Sequence, residues 1–98
     1  MNENKNYDYP LDDAWTTAEI ITVTDFYQAV EAANEGGVDR DKFLKAHAAF
    51  LQVVPSKAEN RQIDRAFAAA SGYSIYRTVQ AAANTTGKQV RVTPKERS

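Results

Sequence analysis

Ninety-eight residues make one domain, of a size at which only about two thirds of the unfolded surface can be buried, so a simple fold with short connections is expected. Alanine supplies 16 of the 42 apolar residues, against eight Val, four Ile and three Leu, which favours closely approaching helices over a thick core. The net charge is only −1, yet residues 1–39 hold nine acids and one base while residues 40–98 hold eleven bases and four acids; the absence of Cys excludes disulfides and thiolate metal sites.

The chain opens on a polar stretch, Asn2-Glu3-Asn4-Lys5-Asn6, with neither the basic segment nor the apolar run of a signal peptide. No apolar stretch is long enough to span a membrane, so a cytoplasmic location is expected. Tyr7-Asp8-Tyr9-Pro10-Leu11-Asp12-Asp13-Ala14-Trp15 is too aromatic for a solvated tail and too irregular for a helix. It reads as an extended strap, with Tyr9 pushed toward extended backbone by Pro10. Thr16 begins the first helix through a capping box with Glu19. Ile20, Val23, Phe26, Tyr27 and Val30 then form one apolar stripe until Gly36-Gly37.

Asp39 is the expected cap of the second helix, whose Phe43, Leu44, His47, Phe50, Leu51 and Val54 give the clearest amphipathic pattern in the chain. Pro55 ends it. Ser56-Lys57-Ala58-Glu59 reads as a second capping box, opening a third helix with Ile63, Phe67 and Ala70 inward until Gly72. Ser74 caps a fourth helix with Ile75, Val79 and Ala82 or Ala83 on its inner side. From Lys88 the chain is basic and lacks helical period. The expected organisation is a disordered start at 1–6, a helical domain at 7–84 and a flexible basic tail at 85–98. The fold class is all-α: an irregular four-helix array with an extended aromatic N-terminal strap.

Four strings carry a resemblance: Tyr7-Asp8-Tyr9-Pro10-Leu11-Asp12, Trp15-Thr16-Thr17-Ala18-Glu19-Ile20, Val54-Pro55-Ser56-Lys57-Ala58-Glu59 and Ser71-Gly72-Tyr73-Ser74-Ile75-Tyr76-Arg77-Thr78-Val79. In order and spacing, from Tyr7 to Ala83, the chain resembles uncharacterised protein family two-two-three of Gram-positive bacteria. The resemblance implies a compact all-helical cytoplasmic protein. Because that family has no assigned activity, it supplies no functional residues.

The residues themselves show no catalytic, metal or phosphate-binding signature. His47 is the only imidazole, and its neighbours at three and four residues' distance are Phe43, Leu44, Phe50 and Leu51, none of which can ligate a metal or orient the ring. It reads as a histidine at the core edge, held by a backbone carbonyl or a Tyr hydroxyl. Ser71 or Ser74 with His47 and an Asp would make a triad only by chance, since no nucleophile elbow is present. Asp12-Asp13 and Asp39/Asp41 lack calcium-loop spacing, and Gly36-Gly37 follows a helix instead of preceding one. No catalysis, metal or cofactor is expected.

Lys57, Arg61 and Arg65 recur at i, i+4 and i+8 as a basic stripe on the third helix. Cations near a helix start are unfavourable, so carboxylates are expected beside them: Asp8, Asp12, Asp13 and Glu19 at one end, with Glu31 and Glu35 beside Arg40, Lys42 and Lys45 at the other. On this reading the two charged halves cancel inside one molecule. The rival reading keeps the bases for nucleic acid. The third helix, the turn Ser71-Gly72-Tyr73 and the fourth helix outline a helix-turn-helix, but the unit is one residue too long and presents only Arg77 and Gln80 as base readers. A third reading is a protein partner engaging Tyr73, Tyr76 and Arg77, residue types that anchor interfaces. Against it stands a packing role, with Tyr73 and Tyr76 covering the bundle end against Trp15 and Tyr9. The candidate surface is therefore Lys57, Arg61, Arg65, Tyr73, Tyr76 and Arg77. A small protein-interaction or regulatory module is the leading function and nucleic-acid binding the alternative, with no membrane role and the oligomeric state open.

Overall fold

The computed structural model describes residues 9–92. The expected disordered start, residues 7 and 8 of the strap, and residues 93–98 of the tail lie outside them. Within them the order is α1 (Thr17–Asn34), β1 (Val38–Asp39), α2 (Arg40–Val53), α3 (Lys57–Ser71), α4 (Ile75–Asn84) and β2 (Gln89–Val90).

Each helix starts where its sequence provides an acceptor. The Glu19 amide donates to Thr16 Oγ1 at 3.1 Å and the Glu19 carboxylate takes the Thr16 amide at 2.8 Å, so the capping box of α1 is complete. Asp39 Oδ2 accepts from the Lys42 amide at 2.9 Å, Ser56 Oγ from Glu59 at 3.2 Å and Ser74 Oγ from Arg77 at 3.1 Å. The second expected capping box forms only this serine arm. A different contact ties the α2–α3 turn: Asn60 Nδ2 donates to the carbonyls of Val54 and Ser56 at 2.8 and 2.9 Å. Gly72 ends α3 in the left-handed region, φ 83°.

The core is aromatic. Phe26 and Tyr27 of α1 meet Phe50 of α2 at ring separations of 4.6 and 6.2 Å, and Phe26 also meets Phe43 at 5.7 Å. Phe67 of α3 joins through Tyr27 at 5.0 Å. Each of these five rings is fully buried, worth about 1.5–3 kcal/mol apiece, which compensates for the thin alanine faces. The described strap completes this cluster: Tyr9 lies 5.1 Å from Tyr27 and 6.2 Å from Phe67. Its phenol donates to Glu31 Oε1 at 3.0 Å, and the Tyr27 phenol donates to the Pro10 carbonyl at 2.7 Å. The strap thereby bridges α1 and α3.

The region read as a flexible tail is folded through Val92. β2 pairs antiparallel with β1, Val38 opposite Val90 and Asp39 opposite Gln89. The Arg40 amide donates to the Lys88 carbonyl at 2.7 Å and the Val92 amide to the Ala33 carbonyl at 2.9 Å. Val90 and Val92 enter the core with 0% and 4% exposure. The physical reason is the alternation Gln89-Val90-Arg91-Val92, which puts both valines on one face of an extended segment. Gly37 permits the pairing: its φ is +130°, and a Cβ there would approach Gln89 Oε1 to 3.0 Å.

Replacing Val90 with Asp is expected to lower stability by about 3 kcal/mol or more by placing an unpaired carboxylate in this core. Arg91→Ala, on the exposed side of the same segment, should change it by less than about 0.5 kcal/mol. Thermal unfolding followed by circular dichroism distinguishes the two; equal midpoints would show that the strand holds nothing.

Candidate interaction surface

The fourth helix is positioned differently from the other three, because no aromatic ring of α4 enters the core. Polar contacts hold it at its start, middle and end. At its start, Asp64 of α3 accepts from the Ile75 amide at 2.9 Å and the Tyr76 amide at 3.3 Å, one carboxylate oxygen to each. Ser74 takes the next two amides, Arg77 on its hydroxyl and Thr78 on its carbonyl. The three amides of the first turn, Ile75, Tyr76 and Arg77, thus have side-chain acceptors and Thr78 begins the regular ladder, while a negative charge stands at the positive end of the dipole. In the middle, Asn34 of α1 donates to Thr78 Oγ1 at 3.0 Å. At the end, Arg40 Nε donates to the Ala82 carbonyl at 3.0 Å, a cation at the negative pole.

Between α2, α3 and α4 this leaves a shallow cleft of about 180 Å³, lined by His47, Asn60, Arg61, Asp64, Ile75, Tyr76 and Val79. Tyr76 stands at its edge, 61% exposed, with its hydroxyl accepting from Gln80 Nε2 at 2.9 Å. Of the two readings of Tyr76, packing against Trp15 and Tyr9 or exposure at a surface, its place at this cleft fits the second. Tyr73 is half-buried and donates to Glu35 Oε2 at 2.7 Å, joining the start of α4 to the end of α1. Of the six candidate residues, Arg61 and Tyr76 therefore share one cleft. Lys57, Arg65 and Arg77 are exposed, and Tyr73 has a separate structural tie.

The ion pairs expected at the bases of α2 and α3 are not formed within the described residues, and Asp8, one of the expected acids, lies outside them. Among the described residues, Arg40, Lys42, Lys45, Lys57, Arg61 and Arg65 form no ion pair. The strap lays Asp12 and Asp13 along α3 as foreseen, but on the side carrying Glu59, Gln62 and Ala66, away from the basic stripe. At the other end Glu31 and Glu35 accept from the phenols of Tyr9 and Tyr73. The bases do not form a wholly positive field either, because Asp64 lies beside Arg61 in the cleft.

His47 has no hydrogen bond to hold it among the described residues, contrary to the expected carbonyl or Tyr partner. Its ring instead stacks on Phe26 at 5.3 Å and on Phe43 at 6.4 Å, and burial against these rings lowers its pKa from the ordinary histidine range. Asp64, the carboxylate of the same cleft, has both oxygens engaged by backbone amides. Neither Asp64 nor Asn60 could be assigned to the cleft from sequence, because their partners depend on how α3 meets its neighbours. No three His, Asp or Glu residues gather into a possible metal set among the described residues, and no described helix is long and apolar enough to cross a membrane.

Because the folded state lowers the His47 pKa, the unfolded chain takes up the proton first as the medium is acidified. Stability should therefore be unaffected by this group above the unfolded value of about 6.5 and decline as pH falls below it, the penalty becoming complete below the folded value. His47→Phe, which keeps an aromatic ring against Phe26, should remove that part of the decline between about pH 7.5 and pH 5.5. Denaturant midpoints across that range measure it, and parallel curves for the two proteins would refute this role for His47.

Comparison with known proteins extends the likeness beyond the strings quoted above. A protein of Lactiplantibacillus plantarum is 56% identical over 82 residues, 84% of each chain. One from Streptococcus gordonii is 52% identical over 82 residues, covering 84% of this chain and 89% of its own. One from Bacillus cytotoxicus is 49% identical over 79 residues, covering 81% and 89%. All three are described as UPF0223 proteins. The family profile matches residues 6–91 and so includes the β2 segment. The chain belongs to the uncharacterised protein family UPF0223.

Proposed function

We propose that the protein is a small cytoplasmic interaction module, without catalysis of its own, that binds an acidic segment of another protein where α3 meets the start of α4. One observation carries this reading: an exposed Tyr76 borders an apolar cleft beside Arg61, while Lys57, Arg61 and Arg65 are exposed and outside any ion pair among the described residues. Tyr and Arg are the side chains that most often dominate binding energy. The cleft is large enough for one apolar side chain of a partner, and the flanking cations supply steering toward carboxylates. The absence of catalysis is supported by chemistry: the imidazole of the cleft is stacked on rings, its carboxylate holds two amides, and neither a serine nor a threonine lines it.

Tyr76→Ala should leave thermal stability within about 0.5 kcal/mol of the parent, because the ring is exposed, and should abolish capture of the partner by tagged protein. Arg61→Glu/Arg65→Glu should have the same effect. A fall of several degrees in the Tyr76→Ala midpoint would instead assign the ring to packing. Retention of the parent on duplex DNA that weakens steeply with salt and disappears in the Arg61→Glu/Arg65→Glu variant would favour the nucleic-acid reading.

A further inference from the structure

A second surface lies on another side of the molecule, between α1 and α2. There a groove of about 690 Å³, larger than the cleft at α4, runs along the two helices. Its floor is made of small side chains, Ala29 and Ala32 from α1 with Ala46 and Ala49 from α2. Such a floor lets another helix approach closely. The rims are charged with opposite sign: Asp25 stands on α1, Lys42 and Lys45 on α2. These charges do not close across the groove, for among the described residues Asp25, Lys42 and Lys45 form no ion pair. Ile21, one turn before Asp25 on the same helical face, is 55% exposed and adds apolar surface that a monomer leaves in water.

We infer that this groove is the contact between two copies of the chain. The short connection through Gly36-Gly37 lays α1 and α2 side by side and antiparallel. A two-fold axis running along the groove places α1 of one copy over α2 of the other. Asp25 of each copy is then on the edge of the contact where its mate carries Lys45 and, further along, Lys42, twice over, and the alanine floors oppose one another. A surface whose two rims carry opposite charge is complementary to itself in this orientation, which identifies a second copy as the occupant. The contact leaves the α3–α4 face uncovered, so a dimer presents two of the binding surfaces proposed above.

Sedimentation of the purified full chain over a range of concentrations tests this. The parent is expected to be a dimer at tens of micromolar, about the range of moderate homodimer affinities. Ala49→Glu, an exposed helix position on the groove floor, should give a monomer with unchanged helical circular dichroism. Asp25→Lys should raise the dissociation constant about tenfold or more, and adding Lys42→Glu and Lys45→Glu should restore it to within about threefold, since each contact is then reversed. A parent that stays monomeric to about 1 mM, or a dimer indifferent to both Ala49→Glu and the charge exchange, overturns the inference.

Discussion

The carboxylate of Asp64 is the constraint on which the arrangement of the second half of the molecule depends. It leaves α3 and accepts from the first two amides of α4, at 2.9 and 3.3 Å. An Ala-rich helix such as α4 has little apolar volume with which to dock, and Ile75 and Ala82 are its only buried apolar residues. Its ends are therefore held electrostatically, by an anion at the amide pole and Arg40 at the carbonyl pole. Asn34 fixes the rotation of the helix through the buried Thr78 hydroxyl. A helix held in this way can leave one long face in solvent, and that face carries Tyr76, Arg77 and Gln80.

The carboxylates of the two halves are put to a similar use. Glu19 completes the cap of α1 and Asp39 caps α2, while Glu31 and Glu35 receive phenol hydroxyls. Asp64, one of the few acids of the second half, is engaged by α4. Acids that accept from amides and hydroxyls at helix ends gain hydrogen bonds in fixed geometry, whereas exposed ion pairs between long side chains contribute little. Lys42 and Lys45 of α2 and Lys57, Arg61 and Arg65 of α3 stand exposed, whereas Arg40 is turned inward to the Ala82 carbonyl.

Local signals were legible in the sequence wherever a residue's partner lies within a few positions. Thr16, Asp39, Ser56 and Ser74 each announce a helix start, Gly72 a stop, and the Phe-containing stripes the core side of α1 and α2. What failed depends on distant partners. Val90 and Val92 alternate with Gln89 and Arg91 as a strand should, but two valines in a basic stretch declare no mate until Val38 and Ala33 are brought alongside. Glu59 had the spacing of a reciprocal cap, yet Asn60 performed the tie. The charge balance suggested pairing by end of the bundle, whereas the strap chose a side of α3 that carries no base. Of the candidate surface, Arg61 and Tyr76 could be named from residue type, but their meeting with His47 and Asp64 follows from the angle between helices, which the sequence does not express locally.

Amide hydrogen exchange in Asp64→Ala, residue by residue against the parent, is the most direct test of this arrangement. If Asp64 holds α4 in place, Ile75, Tyr76 and the amides that follow them should exchange at least about tenfold faster, while Phe26 in α1 and Phe50 in α2 keep their protection. Undiminished protection through α4, or a uniform loss across all four helices, would contradict it.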